Sequence, residues 1–105
     1  MSRNDEIKVL VRKIADKYKP KKIILFGSTA RGEEKNNSDI DILIIKDSKE
    51  KRPYRVKKVF EAVRTIQRTY ALDVIVYTPD EINKRLSLGD YFIQRILDEG
   101  KTLYG

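Results

Sequence analysis

KIILFGSTARGEEKNNSDIDILIIK, residues 22–46, decides how this chain is read. Two apolar runs, Ile23–Phe26 and Ile40–Ile45, flank a polar segment. Both are rich in β-branched residues and too short for ordinary helices, which predicts buried strands. Residues two apart on a strand share a face, so Asp39 and Asp41 project together from an otherwise hydrophobic strand. Paired carboxylates repel and are costly to desolvate, and a divalent cation removes both penalties. Hard oxygen ligands suit Mg²⁺ or Mn²⁺. Alone, Ser38-Asp39 reads equally well as a turn before a strand. Gly27 permits close backbone approach to a ligand. Ser28 is a good N-cap for one helical turn over residues 29–31, whose free N–H groups, with Arg31, suit a phosphate.

Outward from this stretch the chain alternates helices and strands. Asn4, followed by Asp5 and Glu6, is the expected N-cap of a first helix. Ile7, Leu10, Val11, Ile14 and Tyr18 give that helix one apolar face, and Pro20 stops it. Its basic residues Lys8, Arg12, Lys13 and Lys17 read as a solvated face. Residues 33–38 form a polar loop with turn chemistry. Pro53 suits the first position of the next helix, and helical spacing runs from Val56 through Tyr70. LDVIVY, Leu72–Tyr77, is a third strand that places Asp73 among apolar neighbours, where it is either functional or bonded to backbone amides. Thr78-Pro79-Asp80-Glu81 spells a capping box and a short helix. Gly89-Asp90 breaks and restarts helix formation, Tyr91–Glu99 forms the last helix, and residues 101–104 are a short extended tail. This order predicts an α/β (α+β) fold: a small mixed sheet with helices packed on it, β2 and β3 parallel through a crossover helix and β1 antiparallel to β2.

Composition narrows the chemistry. At 105 residues, a single domain spanning 1–105 is expected, without room for a second substrate-binding domain. There is no Cys and no His, so thiolate and imidazole chemistry are excluded and carboxylates must supply any metal site or general base. No apolar run approaches the ~20 residues that span a bilayer, and the first residues lack a signal-peptide core. A cytoplasmic location without membrane association is expected. The net charge of +7 favours an anionic partner. Gly27–Gly32 has Walker A spacing, but Glu33-Glu34 replaces Lys-Ser/Thr, which rules out a P-loop. An EF-hand fails because apolar residues follow Asp41.

Gly27-Ser28, ten residues, then Asp39-x-Asp41 resembles the signature of the nucleotidyltransferase fold of the DNA polymerase β superfamily. The fuller string, G-S-x-A-R-G followed by S-D-I-D-I-L-I, is similar to the minimal nucleotidyltransferases, small proteins often paired with a HEPN-domain toxin. The resemblance implies ATP as cosubstrate and two Mg²⁺ ions, with Mn²⁺ as the alternative. It implies that Asp39 and Asp41 hold both metals, and that Asp73 is the third catalytic carboxylate, holding the nucleophile-side metal and accepting the nucleophile's proton. Gly27, Ser28 and Arg31 would orient the β- and γ-phosphates. It further implies an antitoxin that transfers AMP to a tyrosine of a HEPN-domain ribonuclease, a hetero-oligomer with that partner, and no nucleic acid as direct substrate. Two alternatives stay open: a catalytically inactive module that neutralises a HEPN partner by contact alone, and a nucleotidyltransferase acting on a small molecule or RNA.

Overall fold

The computed structural model describes residues 2–32 and 39–105. In chain order it contains α1 (Arg3–Tyr18), β1 (Lys22–Phe26), α2 (Gly27–Ala30), β2 (Ile40–Ile45), α3 (Arg52–Ala62), β3 (Leu72–Tyr77), α4 (Pro79–Ser87), α5 (Tyr91–Glu99) and β4 (Lys101–Tyr104). The strands form one mixed sheet in the order β3-β2-β1-β4. As the sequence predicts, β1 and β2 are antiparallel and β2 and β3 parallel. The polar loop expected at residues 33–38 lies outside the described residues.

The sheet is covered on both faces, which is why its inner strands read as continuous apolar runs. Ile23, Leu25, Ile40, Ile42, Ile44 and Val76 pack with Leu10 and Ile14 of α1 and Val59 of α3. The alternate residues Ile24, Leu43 and Tyr77 pack with Ile82 of α4 and Ile93 and Ile96 of α5. Strand alternation therefore assigns Asp41 and Asp73 to the face that α4 and α5 cover. Among the described residues no helix is long and apolar enough to cross a membrane.

Four local expectations are corrected. The N-cap of α1 is Ser2, not Asn4: Asp5 N–H donates to Ser2 Oγ at 3.1 Å, and Ser2 N–H donates to the Asp5 carboxylate at 3.4 Å. This reciprocal pair satisfies two backbone donors, where Asn4 is already inside the helix. Pro53 is the second residue of α3, after Arg52. The helix also ends at Ala62, not at Tyr70; Arg64 N–H and Ile66 N–H bond to carbonyls three residues back, tightening the chain into turns. Tyr70 is nonetheless buried, under Arg3, whose guanidinium lies 5.3 Å from its ring centroid. Here burial follows from packing and not from helical periodicity. Finally, the expected tail is the fourth strand, paired antiparallel with β1 through Ile24↔Thr102 and Leu25↔Lys101.

The capping box of α4 matches expectation and carries more than a cap. Glu81 accepts from Thr78 N–H at 2.8 Å and from Arg55 Nη1 at 2.6 Å. Arg55, only 6% exposed, also donates to Val76 O at 3.2 Å and, through Nε, to Glu50 O at 2.7 Å. One guanidinium thus ties α3, β3 and α4 together. Burial alone would push the Glu81 carboxyl up, but its bonds to Arg55 and Thr78 hold it below the ordinary value. Removing one partner of a buried ion pair leaves the other uncompensated, so Arg55→Ala should cost about 2–3 kcal/mol. Lys58→Ala, which breaks only the exposed and solvent-screened Lys58–Glu50 pair, should cost far less. Urea midpoints of the two variants measure the contrast.

Candidate active site

The site is assembled where β1 ends and β2 and β3 run past it. Phe26, the last residue of β1, is paired with Asp41, and Asp41 is paired across the parallel ladder with Asp73. Parallel register at this position sets the two carboxyl side chains next to each other on one face. A protonated Asp41 can donate to Asp73, and its carboxyl is pushed from its ordinary 3.8 up to about 6. Its partial burial is the main cause, followed by the bond to Asp73 and the charges of Asp73 and Asp39; Arg31 opposes the shift. Asp73 is exposed at the sheet surface and Asp41 half-buried.

Gly27 makes this arrangement possible. It turns the chain out of β1 at φ +77°, a left-handed conformation that side chains disfavour. A Cβ at Gly27 would also fall on the Asp41 carboxylate, far inside contact distance of Oδ2. The helical turn α2 starts here, two residues before the expected start, with Phe26 as N-cap and Ser28 inside the turn. Arg31 closes it, its N–H donating to Ser28 O at 3.1 Å and Gly27 O at 3.3 Å.

Thr29 is a positioning residue that the sequence reading missed. It is 7% exposed, and its Oγ1 donates to Asp39 O at 2.9 Å, pinning the helical turn to the start of β2. The available signal was a hydroxyl at the one unassigned position of Gly27-Ser28-Thr29-Ala30-Arg31.

Of the sequence-predicted residues, Asp41 adjoins both Asp73 and Gly27. Arg31 reaches them through its charge, and Asp39 sits two residues before Asp41, exposed, with its backbone held by Thr29. Among the described residues no three acidic, His or Cys side chains are gathered as a ready metal set. The donor chemistry nevertheless fits a divalent cation. A half-buried carboxyl held up by a like neighbour is a place where positive charge relieves strain. Asp41 and Asp73 could hold such an ion, with Asp39 as a further ligand.

A family model described as nucleotidyltransferase domain matches residues 7–103. A Methanocaldococcus jannaschii protein named "putative protein adenylyltransferase" is 34% identical over 108 residues, covering 99% of this chain and 100% of that protein. Another of the same name and organism is 37% identical over 98 residues, 90% of each chain. The crystal structure of a "putative nucleotidyltransferase" from Sulfolobus solfataricus superposes with a TM-score of 0.55 at 28% identity, over 74% of this chain and 68% of that one.

Two outcomes follow from the Asp41 environment. A carboxyl raised in the folded state holds its proton more tightly there than in the unfolded chain. Its contribution to stability is full below its ordinary 3.8 and is lost as pH rises through about 6. In divalent-free buffer, Asp41→Asn should therefore gain thermal stability relative to wild type as pH rises from about 4 to about 7. Added Mg²⁺ should raise the melting temperature of wild type and not of the variant. Gly27→Ala should cost about 1–3 kcal/mol in strain and also displace Asp41, so Mg²⁺ should no longer stabilise it.

Proposed function

The chain belongs to the nucleotidyltransferase domain family, and on that premise we propose that it is a protein adenylyltransferase. Its substrates are ATP and a tyrosine hydroxyl of a separate protein, a HEPN-domain ribonuclease toxin that the modification silences. The observation that carries this reading is the pairing of Asp41 with Asp73, with the Asp41 carboxylate lying where a Gly27 side chain would be.

The tyrosine oxygen attacks the α-phosphorus of ATP, the bond from that phosphorus to the pyrophosphate oxygen breaks, and pyrophosphate leaves. Two Mg²⁺ ions held by Asp39, Asp41 and Asp73 would neutralise the phosphates and the developing charge on nucleophile and leaving group. The proton of the hydroxyl passes to a carboxylate oxygen of Asp73, which is exposed and open to an incoming side chain. Gly27 gives the phosphates backbone contact without a side chain in the way. Ser28 and Arg31 orient the β- and γ-phosphates, and the positive charge of Arg31 offsets theirs. Thr29 keeps this turn in register with the carboxylates.

Incubation with ATP, Mg²⁺ and the HEPN partner, followed by mass spectrometry, should show AMP on a partner tyrosine. Asp73→Asn should reduce transfer by at least about a hundredfold with little change in thermal unfolding. A partner inhibited without modification would instead make contact-only neutralisation the correct reading.

A further inference from the structure

We propose that the cleft between α2 and the outer side of α5 is the seat of the nucleobase, with Phe92 as its stacking platform. This rests on the nucleotide reading above and adds a recognition element to it. The cleft has a volume of about 210 Å³ and runs from Phe92, Arg95 and Glu99 on α5 to Phe26, Gly27 and Arg31 at the end of β1 and in the turn. It is too small for a whole nucleotide and sized for one ring system, since sites for larger ligands run to about 300–1,000 Å³.

Three features select a planar base with an anionic tail. First, Gly27 lines the cleft and also lies against the Asp41 carboxylate, so a ring in the cleft is joined to phosphates at the carboxylates through one sugar. Second, Phe92 is an apolar ring left 54% exposed. It packs edge-on against Phe26, with centroids 5.8 Å apart and planes at 85°, which leaves a face of Phe92 available. It stands in the first turn of α5, which Asp90 caps by accepting from Ile93 N–H at 3.1 Å. Third, Arg31 and Arg95 line the cleft, a charge pattern complementary to the nucleotide's phosphates. Glu99, which accepts from Arg95 at 3.3 Å, is the acidic acceptor at hand for an exocyclic amine of the base.

The test compares a ligand that has a base with one that lacks it. Calorimetry in Mg²⁺ measures binding of a non-hydrolysable β,γ-methylene analogue of ATP and of inorganic tripolyphosphate to wild type, Phe92→Ala and Phe92→Trp. Base stacking on an aromatic is worth enough that Phe92→Ala should weaken the analogue about tenfold or more. Tripolyphosphate should bind that variant as it binds wild type, and Phe92→Trp should retain the analogue. Unchanged analogue binding in Phe92→Ala overturns the proposal. Equal weakening of both ligands also overturns it, because Phe92 would then be acting on the phosphate turn. If wild type binds neither ligand, the nucleotide reading fails first and the base seat with it.

Discussion

Everything about the site depends on the register of β2. It is an inner strand with β1 antiparallel on one side and β3 parallel on the other, and Asp41 is the residue where both ladders meet the end of β1. A slip of one residue would turn Asp41 toward α1 and α3 and bring Ile42 to the surface that now carries the carboxylates. The apolar alternation of Ile40, Ile42 and Ile44 against one helical layer and Leu43 against the other holds the register in place. The same residues that make the core therefore aim the acids. No separate device is needed to position Asp73, because parallel pairing delivers it.

The price of that geometry is electrostatic. Asp41 sits partly desolvated beside two other acids, with Arg31 as the opposing charge acting on it. Other parts of the molecule compensate. Arg55 binds α3, β3 and α4 through one guanidinium, and capping boxes at Ser2 and Thr78 with a cap at Asp90 satisfy three helix starts. These stabilising features lie away from the carboxylates. The chain thus keeps its unfavourable charges in one small region, where a bound cation would turn repulsion into attraction.

How much of this is legible in the sequence varies with the kind of interaction. β1 and β3 can be bounded from their apolar runs, and the capping box at Thr78 and the break at Gly89-Asp90 from local chemistry. Asp41 announces itself because charge on a buried strand is costly, whereas Asp39, expected on the same strand, lies just before it and is exposed. What is not legible depends on neighbours distant in sequence. Lys101–Tyr104 has the composition of a tail and becomes a strand only because β1 has an open edge. Tyr70 keeps helical spacing with α3 and is buried by a different route, beneath Arg3 of α1. Gly27 reads in the sequence as a place of close approach to a ligand, whereas its closest approach in the fold is to the Asp41 side chain, fourteen positions on. Thr29 passes unnoticed because its hydroxyl marks a donor without marking the acceptor, the backbone carbonyl of Asp39 ten positions on.

The late position of β4 bears on how the chain is made. β1, which leads into the Gly27 turn, gains its second neighbour only through Ile24↔Thr102 and Leu25↔Lys101. During vectorial synthesis, β1 can pair with β2 early, but its other edge stays open until residues beyond α5 have left the ribosome. An open strand edge is a template for pairing with foreign chains. Such long sequence separation also slows closure of the sheet. The nascent protein therefore passes through a stage in which the Gly27 turn is already present on a strand hydrogen-bonded on one side alone. Protection of that edge during translation becomes a condition for obtaining a working site.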